Sequence, residues 1–201
     1  MQIGGRRIEF VAVGDIQAAV ERRSAAPKLS EAGLRRQHRI VVQLGRWSRA
    51  ILPVRFGAWI DEQDLIGTVE VHRRTLRRAL NSVRDQEQMT VRIFASREPM
   101  STERQSSSGT AYLQDRRGGP NAALRPTLQR VRRAVARMVS RESIDNGEGR
   151  TFASVHHLIE RGRSREYKTL VMQACSTLET GQNIVVSGPW PPFAFVPDIW
   201  S

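Results

Sequence analysis

Val185-Val186-Ser187-Gly188-Pro189-Trp190-Pro191-Pro192-Phe193-Ala194-Phe195-Val196 joins a strand-like apolar entry to a Gly-Pro-Trp-Pro-Pro corner and a second apolar exit. Three prolines and a glycine within five positions fix several φ values and remove amide donors, so the backbone turns sharply and cannot pair through the corner. Trp190 sits inside this rigid turn. A ring held in that way closes a small core or anchors a partner at little entropic cost.

The residues before the corner read as an α+β unit. Met89 to Ala95 has the composition of a strand, and Ser96 to Ser108, rich in Ser and charge with Pro99, that of a loop. Tyr112 and Leu113 begin a helix that Gly118, Gly119 and Pro120 interrupt; Leu124, Leu128, Val131, Val135 and Met138 resume it as a narrow apolar stripe. A loop over Ser143 to Gly149 leads to a strand over Arg150 to Glu160. A helix over Ser164 to Leu178 follows, with Tyr167, Leu170, Val171, Ala174 and Leu178 inward, and the final strand begins at Asn183. Strand, helix, strand, helix, strand, with one further irregular strand, predicts a modified ferredoxin-like sandwich over residues 88–201, with a flexible loop at 96–108. Trp190 is then expected over the stripe of Tyr167, Leu170 and Ala174.

Residues 1–87 read as a second small α+β domain, with the boundary near Glu87. Ile8 to Val13 and Ile16 to Val20 are β-branched runs across Gly14-Asp15, the pattern of a β-hairpin. Ser30 is placed to cap a helix running to about Arg46, with Leu34, His38 and Val41 on one stripe. Ile51 to Trp59 alternates as a strand, with Leu52, Val54 and Phe56 on one face and Pro53, Arg55 and Gly57 on the other. Arg55 is then a strand-face cation paired with Asp61 or Glu62. Asp61 caps a long helix to about Asp85, marked by Leu65, Val69, His72, Leu76, Leu80 and Val83.

Composition narrows the classes of function. The 201 residues carry a net charge of +12 and a pI near 11.4, nearly all of it from arginine, since only Lys28 and Lys168 are lysines. Such a balance fits a solvated Arg-rich surface or an acidic macromolecular partner. The single cysteine, Cys175, excludes an intramolecular disulfide, fits a reducing cytoplasm and reads as a small core residue. His156 and His157 are adjacent on a predicted strand, so they face opposite sides and cannot chelate one metal; one is expected packed and the other solvated. No Cys-x-x-Cys, phosphate loop, dinucleotide turn or nucleophile elbow occurs, and no catalytic residue, cofactor site or metal site is expected. Gly4, Gly5, Arg6 and Arg7 precede only a brief apolar run, so no signal peptide is expected. Prolines in the longest apolar zone argue against a transmembrane helix there.

Three stretches carry a family resemblance. The corner Gly188, Pro189, Trp190, Pro191, Pro192 with Phe193 and Phe195 resembles the C-terminal signature of the gas vesicle protein L/F family. Leu52-Pro53-Val54-Arg55-Phe56-Gly57 resembles that family's Leu-Pro-Val-Arg-Phe-Gly motif, and Gly109-Thr110-Ala111-Tyr112-Leu113 its Gly-x-Ala-Tyr-Leu helix start. All three come in the family's order and spacing. Phe193 and Ala194 replace the usual Tyr and Ser, which removes roles for those hydroxyls but not packing roles. Relative to the family pattern an opening aromatic strand is lacking, so an unpaired edge is expected beside Ile8 to Val13.

The resemblance implies a minor gas vesicle protein located at the vesicle within the cytoplasm. It would take part in vesicle assembly by binding the shell subunit and other minor vesicle proteins, with no small-molecule substrate. A basic ferredoxin-like RNA-binding module is the rival reading. Its candidate strand, Thr151 to Glu160, supplies only Phe152 where that recognition mode stacks bases on paired aromatics.

Overall fold

The computed structural model describes residues 1–3, 5–95, 125–146, 151–176 and 182–199. Helices and strands mix in α+β fashion, and the chain divides into two compact units, Met1–Glu87 with Trp190–Ser201, and Gln88–Pro189. Residues 190–199, expected in the C-terminal domain, therefore belong with the N-terminal residues instead. The physical reason is visible in the core: Ile199 packs on the cluster of Val13, Ile16, Leu65, Val69 and Leu76. The expected loop at 96–108 and the helix start at Tyr112 and Leu113 lie outside the described residues.

In the first unit, β1 (Gln2–Ile3) pairs with β2 (Arg6–Arg7), and β3 (Glu9–Val13) pairs antiparallel with β4 (Ile16–Val20). Gly14, with φ +62, occupies the first position of the two-residue turn, where a II′ hairpin places glycine. Arg73 and Arg77 of α3 (Arg73–Ser82) hold the next residue, Asp15, at 2.7 and 2.9 Å. The edge expected to be open beside Ile8 is paired at that residue. Met1 N donates to Ile8 O at 3.0 Å, and Ile8 N donates to Met1 O at 2.8 Å.

Helix α1 (Glu31–Trp47) begins where Ser30 Oγ accepts from Gly33 N at 3.1 Å. Its core side is Ile40 and Val41, and Ile40 packs with Ile3 and Ile8. Leu34, which shares a stripe with His38 and Val41, is 54% exposed. The long helix expected from Asp61 starts as predicted, Asp61 Oδ1 accepting from Asp64 N at 2.8 Å, but it is broken. Helix α2 (Glu62–Val71) ends at His72, which leaves helical geometry at φ −97, ψ 10, and α3 restarts immediately. The inward stripe survives the break because Leu65, Val69, Leu76 and Val83 all remain buried.

The second unit runs strand, helix, strand, strand, helix, strand. Its elements are β5 (Gln86–Ala95), α4 (Arg125–Val135), β6 (Val139–Asn146), β7 (Thr151–Glu160), α5 (Ser164–Cys175) and β8 (Gln182–Trp190), with β5 and β8 each reaching the unit boundary. The sheet order is β6-β7-β5-β8. Met89, Val91 and Ile93 of β5, Ala153 and Ile159 of β7, Val131 and Val135 of α4, and Tyr167 and Val171 of α5 form the core. The loop expected at Ser143 to Gly149 is corrected over its described part: Ser143 to Asn146 belong to β6, antiparallel to β7, with a bulge between Val139 and Arg141. An edge strand reading Val-Ser-Arg-Glu-Ser-Ile-Asp-Asn shows no apolar alternation and few strand formers, so periodicity could not reveal it.

Among the described residues no helix is long and apolar enough to cross a membrane. Chain approaches chain closely at Gly188, where φ is +120 and a β-carbon would lie 2.8 Å from Gln88 O and 2.9 Å from Met89 Sδ. Gly188→Ala is therefore expected to destabilise the protein by about 1–3 kcal/mol, because backbone cannot yield as a side-chain tip can. Urea unfolding of the variant beside the parent checks this; an unchanged midpoint would refute the close approach.

Candidate functional site, an aromatic surface on helix α1

Two of the three sequence motifs meet on α1. The stretch Leu52 to Gly57, expected as a strand, is irregular chain. Pro53 lacks the amide a ladder needs and is the buried residue of the segment, while Ala58 N closes a turn onto Arg55 O at 3.3 Å. This run is fastened to the helix by Gln37 Nε2, which donates to Val54 O at 2.9 Å. Phe56 lies so near the helix backbone that a β-carbon on Gly33 would sit 2.5 Å from its Cζ. Leu52 packs half-buried on the first unit's core, Arg55 is exposed, and Gly57 takes φ +92. The expected pairing of Arg55 with Asp61 or Glu62 does not occur, since Glu62 pairs instead with Arg22 at 2.7 Å.

The second motif reaches the same helix one turn along its length. Phe193 N donates to Pro191 O at 2.8 Å and Phe195 N to Pro192 O at 3.1 Å, folding Phe193–Phe195 into a single 3-10 turn. Pro192 and Phe195 are buried by that turn, Pro189 and Phe193 face outward, and Gly188 and Pro191 are half-buried. The Trp190 ring stands edge-on to His38, with centroids 5.3 Å apart and planes at 66°. Phe193 stacks on the same imidazole at 6.2 Å and 21°. Trp190, expected over Tyr167, Leu170 and Ala174, belongs instead with the unit that contains His38. Both rings remain partly open to solvent, Trp190 at 36% and Phe193 at 40%.

Leu34 precedes His38 by one helical turn and so shares its face. The result is an apolar and aromatic strip of Leu34, His38, Trp190 and Phe193 on one face of one unit. Sequence periodicity places Leu34 and His38 on a single stripe, and His38 is half-buried. Nothing local signals that His38 would receive rings from the far end of the chain.

The remaining reactive side chains are structural. His156 and His157 are both buried, correcting the expectation that one is solvated. Edge strand β6 supplies each with a carboxylate: Asp145 accepts from His156 Nε2 at 3.0 Å, and Glu142 from His157 Nε2 at 2.9 Å. A carboxylate only accepts, so Nε2 of each ring is the donor, which in a neutral imidazole leaves Nδ1 as the acceptor. Thr90 Oγ1 lies 3.0 Å from Nδ1 of His156, and the Tyr167 hydroxyl donates to Nδ1 of His157 at 2.6 Å. Arg132 completes the second chain, its Nε and Nη2 donating to the Glu142 carboxylate. Burial raises the pKa of Cys175, opposite to what a nucleophile requires. No group of three or more potential metal ligands occurs among the described residues. Many arginines already hold carboxylates, as Arg22, Arg73, Arg132 and Arg163 do, which reduces the free positive charge available to a phosphate backbone.

The model of the family described as gas vesicle synthesis protein GvpL/GvpF matches residues 1–197. The chain belongs to this family. The fold is shared with the crystal structure of the gas vesicle protein GvpF from Anabaena sp. PCC7120, at TM-score 0.75 and 12% identity, covering 96% of this chain and 89% of that one. It is shared equally with gas vesicle protein GvpF from Microcystis aeruginosa, at TM-score 0.75 and 11% identity, covering 96% of this chain and 90% of that one. No curated protein sequence matches the chain. Membership agrees with the resemblance carried by the three motifs, and nothing in these likenesses supports the RNA-binding reading.

The His157 chain generates a pH dependence. Burial depresses the His157 pKa below its usual 6.5, only partly opposed by Glu142, while the Arg132 hydrogen bond lowers that of Glu142. The unfolded chain thus takes up a proton on His157 before the folded one does. Stability is full above about pH 6.5 and falls as pH drops toward the folded value, with Glu142 adding a further loss at lower pH. Melting temperature is expected to fall between about pH 7.5 and pH 5.5 in the parent and to change less in His157→Gln. Parallel slopes in the two proteins would show that other groups set the dependence.

Proposed function

We propose that this GvpL/GvpF-family protein acts at the gas vesicle, within the cytoplasm, as a binding and assembly protein rather than an enzyme. Its partners in this reading are the shell subunit and other minor vesicle proteins, and it needs no cofactor. The observation that carries the proposal is the convergence of the Leu52–Gly57 and Gly188–Phe195 motifs on α1, where two rings stay open at the surface. Aromatic side chains held by prolines lose little freedom on binding, which is the character of an interface anchor. Described residues with unusual chemistry are consumed in packing, which leaves contact as the function this geometry serves best.

We also infer that the second unit is a modified ferredoxin-like sandwich. The order β6-β7-β5-β8, with a helix after the first and third strands of the unit, supports this. The two compact units are then two small domains, the first completed by the chain's last segment.

Purified protein mixed with solubilised shell subunit at about 50 and 200 mM salt, with nuclease present, tests the assignment. Binding through apolar rings survives the higher salt, whereas a phosphate-backbone interaction weakens by orders of magnitude. Phe193→Ala is expected to weaken shell binding about tenfold or more while costing under about 1 kcal/mol of stability. Trp190→Ala, removing a more covered ring, is expected to cost about 2 kcal/mol as well as affinity. Salt-sensitive RNA binding with no shell binding would overturn the proposal.

A further inference from the structure

The aromatic strip on α1 has a charge frame. Arg35 and Arg39 follow Leu34 and His38 by one residue each, which on a helix sets them about 100° around from the strip, along its flank. Both are exposed. Arg39 has no ion pair among the described residues, and Arg35 has only Glu31, an exposed pair at 2.5 Å whose two side chains are 71% and 75% open. A pair so open to solvent is weak and readily exchanged. On the opposite flank, the loop that packs on Gly33 and Gln37 carries Arg55, exposed and without an ion pair among the described residues.

We propose that this surface receives an amphipathic helix of a partner protein, its apolar stripe against Leu34, Trp190 and Phe193 and its flanks carrying carboxylates toward Arg35, Arg39 and Arg55. The inference rests on the contact role proposed above and adds the chemistry of the occupant. Leu34 and His38 lie one turn apart, about 6 Å, a spacing that side chains at i and i+4 of a facing helix match. A second copy of this chain is a poor occupant because its strip would bring the same arginines against these, and like charges juxtaposed at an interface repel. A single-stranded nucleic acid would use the rings for stacking, but Leu34 offers no π-face and the three arginines flank the strip instead of tracking a backbone.

Two helical peptides with the same leucine stripe, one flanked by Glu and one by Lys, are titrated by fluorescence anisotropy into the full chain; single-stranded polyuridine serves as third probe. The Glu-flanked peptide is expected to bind and the Lys-flanked one to bind at least about tenfold more weakly at 50 mM salt. Phe193→Ala reduces binding of the Glu-flanked peptide at both low and high salt. Arg39→Glu, at an exposed position, reduces it about threefold or more at low salt, with the loss shrinking as salt rises. Circular dichroism melts confirm that both variants fold. Equal binding of the two peptides, absent binding of both, indifference to Arg39→Glu, or displacement by polyuridine would each overturn the proposal. Shell subunit held through Phe193 together with no preference for the Glu-flanked peptide sinks only the charge inference. A Glu-flanked peptide that binds beside a shell subunit that does not sinks only the vesicle reading.

Discussion

The contact of Trp190 and Phe193 with the imidazole of His38 joins the chain's last segment to its first long helix. Proline makes the contact affordable in entropy: with Pro189, Pro191 and Pro192 around it, the segment has few conformations to lose on docking. Pro191 and Pro192 have no amide to satisfy, yet their carbonyls accept from Phe193 and Phe195, so the turn closes without a strand partner. Phe195 and Ile199 then bury beneath it. The price in surface is that both ring edges stay open, and those edges form the surface to which a partner role is assigned.

Much of the fold was legible because its strongest signals were local. The Gly14-Asp15 hairpin, the Ser30 and Asp61 caps and the apolar stripes of α2 to α5 each depend on residues within one or two turns of one another. The failures came where a long-range contact overrode local pattern. Leu52, Val54 and Phe56 alternate as a strand would, but with no neighbouring strand to receive them, Pro53 turns inward and the segment lies on α1. Strand β6 was hidden for the converse reason: its pairing with β7 is supported by Glu142 and Asp145 reaching buried histidines, and polar anchors leave no hydrophobic period.

The same distinction governs the sites. The two motif stretches were visible as unusual strings, whereas their meeting on one helix was not. His156 and His157 were correctly placed on opposite faces of a strand, which excludes joint chelation. Their burial was missed because it requires a carboxylate on an adjacent strand and hydroxyls from Thr90 and Tyr167, none of them near in sequence. A buried imidazole left unpartnered would cost several kcal/mol, so these pairs are a condition for burying β7 on both faces.

The arginine content divides along similar lines. Arg73 and Arg77 hold the hairpin turn through Asp15, Arg132 secures Glu142 beneath His157, and Arg22 bridges Glu9 and Glu62. Exposed pairs of this kind are screened by solvent, so they orient loops more than they stabilise the whole. Arg35, paired only with Glu31, and Arg39 and Arg55, without an ion pair among the described residues, flank the strip that carries the open aromatic rings. Screening confines the reach of their charge to about 8 Å at physiological salt, close to the scale of the strip itself. A cation at that distance would discriminate among partners already touching the rings, so under the proposed contact role apolar contact would set affinity and arginine would set which partner is accepted.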